Sequence, residues 1–188
     1  MHKILYLIFA LACLVLDQLS KWYVTEHIVR EIVQKPNELP LSFFEWLTSS
    51  YERFTFMSLE VWPFFNIVMV WNQGVSFGLL SSDSAITAIA LSLLSLAITV
   101  IFTIWLFRST SRFQCIAIAL VISGAIGNVI DRVRFGAVID FLDVHIAGYH
   151  WPAFNVADSA ISIGVFLLII HSFFIDDTGQ EPPDDANT

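Results

Sequence analysis

With 188 residues, 56% of them hydrophobic and only 14% charged, and a mean hydropathy of +0.72, the chain is too apolar for an ordinary soluble domain, in which roughly a quarter of residues are charged. The net charge of −8 argues against nucleic acid as a partner, since that binding rests on neutralising phosphates with Lys and Arg. The length suits one domain. Cys13 and Cys115 both fall in apolar runs and read as buried small hydrophobes rather than a disulfide framework.

In chain order, apolar blocks occupy residues 4–22, 85–107, 113–130 and 154–175. Each is about long enough to cross a hydrocarbon core of roughly 30 Å as a helix, the form that satisfies its own backbone in lipid. The first block follows Lys3 and holds Leu11-Ala12-Cys13, which has the look of a signal peptide with a poor lipoprotein cleavage box. The apolar run continues through Leu16 into a polar motif instead of a flexible tether, so a retained helix is expected. Residues 23–84 are rich in aromatic residues. Trp46, Tyr51, Phe54, Phe56, Trp62, Phe64, Phe65 and Trp71 suit a membrane–water interface. Within that segment, residues 41–56 read as an interfacial helix and Phe65-Asn-Ile-Val-Met-Val-Trp71 as a short strand.

The hinge Arg108-Ser-Thr-Ser-Arg112 is basic and, with Lys3, reads as cytoplasmic. Six of the nine basic residues (Lys21, Arg30, Lys35, Arg53, Arg132 and Arg134) fall on the opposite side, but most lie in or beside a long loop, where the charge rule loses force. Both termini are therefore expected on the cytoplasmic side. Residues 131–153 return on the outer face with strand-like pairs Val138-Ile139 and Phe141-Leu142. Residues 176–188 carry Asp176, Asp177, Glu181, Asp184 and Asp185 and read as a solvated acidic tail.

Charged groups at the ends of the spans are the informative feature, because an Asp near the membrane centre costs about 2.5–3.5 kcal/mol on insertion scales. Asp17 and Lys21 are four apart, share a helix face and can pair, which by itself is a structural ion pair. Asn72-Gln-Gly74-Val-Ser-Phe77-Gly78 is a polar turn between apolar stretches. In Ser123-Gly124-Ala-Ile-Gly127-Asn128 the small residues permit close helix approach, and Asn128, Asp131 and Arg132 bring a polar network to the end of the third span.

Asp140 and Asp158 need another role, since no Lys or Arg follows Arg134. Two carboxylates brought together can share a proton, one acting as base on a water while the other polarises a carbonyl. Other readings stand beside it. Asp140, Asp143, His145, His150 and Asp158 can be offered as metal ligands of a membrane lipid transferase, although no second helix carries matching carboxylates. Intramembrane carboxylates also mark ion and proton transporters, although paired broken helices and repeat symmetry are missing.

Taken in order, Asp17-Gln-Leu-Ser-Lys21, Asn72-Gln-Gly74-Val-Ser-Phe77, Gly124-Ala-Ile-Gly127-Asn128-Val-Ile-Asp131-Arg132, Gly136-Ala-Val138-Ile-Asp140-Phe141 and Phe154-Asn155-Val-Ala157-Asp158 resemble the signature blocks of bacterial lipoprotein signal peptidase, signal peptidase II. The resemblance covers nearly the whole chain. It implies an α-helical integral membrane protein of the inner membrane, with four transmembrane helices, a small periplasmic β-cradle and an interfacial helix or loop. It implies an aspartic endopeptidase, with Asp140 and Asp158 as the catalytic pair and Asp17, Lys21, Asn72, Gly74, Asn128, Arg132 and Asn155 supporting or lining the site. The substrate implied is a prolipoprotein whose lipobox Cys already carries diacylglyceryl. It is cut just before that Cys by a monomeric enzyme among membrane lipids, with no metal or organic cofactor. Ser123 stands where the family has a second glycine, and residues 31–64 form a longer stretch than is usual before the asparagine–glycine block.

Overall fold

The computed structural model describes residues 2–33, 39–49, 53–74 and 85–174. The acidic segment 176–188, Tyr51 and the end of the asparagine–glycine block from Val75 onward lie outside them. Among the described residues, four helices are long and apolar enough to cross a membrane: Lys3–Val33, Ile86–Arg108, Arg112–Phe135 and Val156–Phe173.

The first helix, α1 (His2–Tyr23), continues through a π-helical turn (Val24–Val29) into α2 (Arg30–Val33). The apolar run stops at Trp22, but the helix does not, because the polar residues beyond it find partners within the fold. Thr25 Oγ1 donates to the Lys21 carbonyl at 2.8 Å. Glu26, 2% exposed, takes a two-pronged contact from Arg30 at 2.8 and 3.1 Å and a 2.9 Å bond from the Leu41 N–H. A buried carboxylate held this way is fully satisfied, so the helix end carries residues 41 onward with it.

Helices α4 (Ala85–Arg108), α5 (Arg112–Phe135) and α6 (Val156–Phe174) complete the bundle. Helix α5 is its axis: 67% of its apolar window is buried, against 11–22% for the other three. Small residues allow this. A Cβ on Gly124 would sit 2.2 Å from the Ala157 carbonyl oxygen, and one on Gly127 would sit 2.7 Å from an Asp17 carboxylate oxygen, so α1, α5 and α6 meet at backbone distance. Helix α5 also runs past the expected end at Ile130, to Phe135, where Gly136 (φ 68) closes it with an N–H to the Arg132 carbonyl at 2.9 Å. Asp131 and Arg132 thereby lie on the helix rather than in a loop.

Over one end of the bundle lies an antiparallel sheet in the order β1 (Ser58–Trp62), β2 (Phe65–Asn72), β3 (Val138–Ile146), β4 (Tyr149–His150). In register, Asn72 faces Val138 and Val70 faces Asp140. Short helix α3 (Phe43–Thr48) is closed at its start by a capping box, Ser42 with Glu45; it covers only part of the interfacial helix expected over 41–56.

The aromatic segment also differs from its expected role as a membrane-surface belt. Trp46 (0% exposed) and Phe54 (2%) are buried and form a core with Val24, Val29, Met57, Met69, Ile139 and Phe141. Arg134 packs its guanidinium 4.1 Å above the Trp46 ring centre. Only part of the set faces outward: Phe56, Trp62 and Phe64 are exposed, with Phe44. Composition alone does not distinguish these two uses of an aromatic ring; the neighbours available from β2 and β3 do.

Candidate active site

Asp158 is placed by the start of α6. Asn155 Oδ1 accepts the Asp158 N–H at 2.9 Å, and the Asn155 N–H donates to Asp158 Oδ2 at 3.3 Å. This reciprocal pair satisfies donors that a helix start would otherwise leave orphaned. Asp140 is placed by β3. Its neighbours Ile139 and Phe141 enter the aromatic core, so strand alternation turns Asp140 to the opposite face, toward the helices.

Asn155 then joins the two carboxylates. While its backbone holds Asp158, its Nδ2 reaches Asp140 Oδ1 at 2.7 Å, the Ile139 carbonyl at 3.2 Å and Asn128 Oδ1 at 3.3 Å. Asn128 in turn donates from Nδ2 to Asp158 Oδ1 at 2.7 Å. Asn72, at the end of β2, donates to Asp140 Oδ2 at 2.9 Å. Its own side-chain oxygen accepts the N–H of Gly74 at 2.8 Å, a turn that needs Gly74 at φ 96 and in which an added Cβ would fall 2.1 Å from Leu91. Asn72, Asn128 and Asn155, widely separated in sequence, thus orient the carboxylates of Asp140 and Asp158.

The Asp140 carboxyl, 1% exposed, is pushed up to about 7, first by burial and then by the charge of Asp158; the bonds from Asn72 and Asn155 and the charge of Lys21 work against the rise. An acid that titrates near neutrality beside a second carboxylate is suited to proton transfer at physiological pH.

Asp17 and Lys21 do pair, at 2.8 Å, but Lys21 Nζ is equally close to Asp131, also 2.8 Å. Both are buried, Lys21 at 0% and Asp17 at 1% exposed, and Asp17 reaches the neighbour of Asp158 by accepting the Ala157 N–H at 2.9 Å. Arg132 is half-buried. It makes one marginal bond, Nη1 to the Asn128 carbonyl at 3.5 Å, and its Nε has no partner among the described residues. Two further residues join this group. Asp131, which spacing along the chain does not connect to Asp17, meets it through Lys21 and through Gln18, whose Nε2 lies 3.1 Å from Asp17 and 3.2 Å from Asp131. The available signal was an amide inside an apolar helix beside a carboxylate.

The residues offered as metal ligands do not converge on the dyad. Asp143 is an odd number of positions from Asp140 on β3 and so points to the other face. There it accepts from Asn66 Nδ2 at 2.8 Å and contacts His150 Nδ1 at 2.8 Å, with His145 stacked on His150 at 4.6 Å between ring centres.

The chain is similar to known proteins over most of its length. The family model described as signal peptidase (SPase) II matches residues 9–174. A lipoprotein signal peptidase of Polynucleobacter necessarius is 39% identical over 87% of this chain and 86% of its own length. Another, of Syntrophus aciditrophicus, is 39% identical over 89% and 91%. A bacterial membrane enzyme solved by the in meso method superposes with a TM-score of 0.64 at 28% identity, covering 99% of this chain and 94% of that one. The chain belongs to the signal peptidase II family of peptidases.

Proposed function

We propose that this protein removes the signal peptide from prolipoproteins whose lipobox Cys carries diacylglyceryl, cutting just before that Cys with Asp140 and Asp158 as the catalytic pair. The observation that carries the reading is Asn155, which ties one carboxylate to the other through a side-chain bond of 2.7 Å and a backbone bond of 3.3 Å. Residues 1–175 act as a single protease domain, and the acidic stretch 176–188 is a cytoplasmic tail.

The chemistry follows from the surroundings of the two acids. The shared proton resides on Asp140, the acid raised to about 7, from which it polarises the scissile carbonyl. Asp158 takes a proton from the attacking water, which adds to the carbonyl carbon. The tetrahedral intermediate collapses as its C–N bond breaks, and the departing amine of the lipidated Cys receives the proton from Asp158. Asn128, Asn155 and Asn72 hold both carboxylates in fixed orientation throughout, and Arg132, whose guanidinium keeps unused donors, binds a substrate carbonyl or a lipid phosphate.

A bilayer supports the same geometry. Lipid chains on the substrate Cys lie among the acyl chains, which brings the scissile bond to headgroup depth, where the sheet meets the helix ends. The sheet is periplasmic, both termini are cytoplasmic, and the enzyme is a monomer in the inner membrane. The test is cleavage of a synthetic diacylglyceryl prolipoprotein by purified protein, wild type against Asp158→Asn. The reading requires cleavage before the lipidated Cys by the wild type and none by the variant. Cleavage by both, or cleavage abolished by a chelator, would sink it.

A further inference from the structure

Beneath the two aspartates lies a second set of charges that the reaction does not consume. Lys21 Nζ stands 2.8 Å from Asp17 Oδ2 and 2.8 Å from Asp131 Oδ2. Gln18 Nε2 bridges the same two carboxylates at 3.1 and 3.2 Å. All four side chains are buried, from 0% exposed for Lys21 and Asp131 to 4% for Gln18. A triad of this kind inside a bundle is a weak source of stability, because desolvation offsets most of the attraction. What distinguishes it is the use made of the remaining lone pairs.

Asp17 Oδ1 accepts the N–H of Ala157 at 2.9 Å, and Asp131 Oδ2 accepts the N–H of Ile139 at 3.2 Å. These are the residues immediately before Asp158 and Asp140. Both amides need an outside partner. Ala157 lies in the first turn of α6, where N–H groups have no intrahelical acceptor. Ile139 directs its N–H toward α5, and its carbonyl goes to Asn155 at 3.2 Å. Building on the dyad reading above, we propose that Asp17 and Asp131 are positioning residues for cleavage: each tethers the peptide unit preceding one catalytic aspartate, and Lys21 with Gln18 ties the tethers together, so that one buried cluster sets the separation of the pair. Helix α1 thereby acts on both halves of a site to which it contributes no reacting group.

The tether predicts a signature that loss of stability does not produce. The charged groups that act on Asp140 are Asp158 on α6 and Lys21 on α1, and Arg132 on α5 interacts with Asp158, Asp131 and Asp140. A change in the spacing of the two acids alters how they share a proton, and so moves the pH–rate profile. Full-length protein in proteoliposomes is assayed on a diacylglyceryl prolipoprotein as Asp131→Asn, which weakens the tie to Lys21, and as Gln18→Met, which removes only the amide bridge. His171→Asn, at the far end of the bundle, where His171 contacts Ser111 at 2.9 Å, serves as a stability control.

For Asp131→Asn the expected result is a fall in kcat of about 100-fold, the scale of a 1 Å misplacement of reacting groups, with KM little changed and the pH–rate limb displaced. Gln18→Met moves both in the same direction by less. Wild-type kcat and profile in the folded variants would overturn the proposal. So would a kcat that falls only with the folded fraction, with the profile unmoved, as for His171→Asn. If Asp131→Asn does not fold, Gln18→Met decides on the same criteria. A wild type that fails to cleave the substrate refutes the dyad reading instead; an active wild type, an inactive Asp158→Asn and unaltered positioning variants refute only the tether.

Discussion

Two pairs of carboxylates lie close together where the helices meet the sheet, and they differ in what they touch. Asp17 and Asp131 meet a lysine at 2.8 Å on each side, whereas among the described residues Asp140 and Asp158 accept hydrogen bonds from amide N–H groups. A buried cation supplies its partners with a counter-charge and takes up lone pairs they would otherwise offer to a substrate or water, and removing it would leave uncompensated charge in low dielectric. Neutral amides orient a carboxylate without supplying a counter-charge, the setting that the proposed function asks of the second pair. The lesson is that burial alone does not make an aspartate reactive. Its reactivity depends on whether burial comes with a counter-ion or with neutral donors.

The comparison breaks most directly at the dyad. Asp140→Asn and Asp158→Asn should each lower kcat by about 10³- to 10⁴-fold, and the double variant should be little worse than either single one, because residues acting as a unit are not additive. Full additivity in steady-state cleavage rates would mean that the two do not work together.

Next comes the charged pair. Lys21→Met leaves two buried carboxylates without their cation and should destabilise the fold by roughly 3–5 kcal/mol, read as a lowered thermal midpoint in detergent. A midpoint equal to wild type would show that the triad is solvated in the membrane.

The amide cradle should matter less than the acids it holds. Asn155→Ala removes the bonds to Asp140, Asn128 and the Ile139 carbonyl together with the cap on α6. It should lower kcat roughly 10- to 100-fold, whereas Asn72→Ala, which loses one bond to Asp140, should cost less. Equal losses would deny Asn155 its bridging place.

The smallest effect, and the one that sharpens the comparison most, is in pH. Asp140 titrates near 7 in the folded protein against about 3.9 for an unperturbed Asp, so the folded state binds this proton more tightly than the unfolded state does. Stability from that proton is fully present below about pH 4 and is lost as pH rises through about 7. Cleavage should decline over the same upper range as Asp140 ionises, and the midpoint of Asp140→Asn relative to wild type should improve from pH 5 to pH 8. A relative midpoint independent of pH would place the titrating group elsewhere.

Much of this was legible in the residues. The long apolar runs specified the helices because a run of that length has one way to satisfy its backbone in lipid. Gly124 and Gly127 signalled close helix contact, and Asp140 and Asp158 stood out because no basic residue follows them. The sequence did not show where α1 ends. Thr25 and Glu26 look like the edge of a span until the Lys21 carbonyl, Arg30 and the Leu41 N–H are seen to satisfy them. Nor did it separate buried Trp46 and Phe54 from exposed Phe56 and Trp62, since an aromatic ring suits a core and an interface equally.

By itself, then, the sequence determined the membrane class and the helix count, both of which depend on composition and on spacing along one chain. The partners of each acid were decided only by the tertiary structure. Asp17, paired by spacing with Lys21 alone, shares that lysine with Asp131 from another helix, and Asp140 meets Asn155 and Asn72 across helix and sheet. Those neighbours set the local dielectric and the available donors, which govern whether a carboxylate stays ionised or titrates, and neither can be read along a single strand or helix.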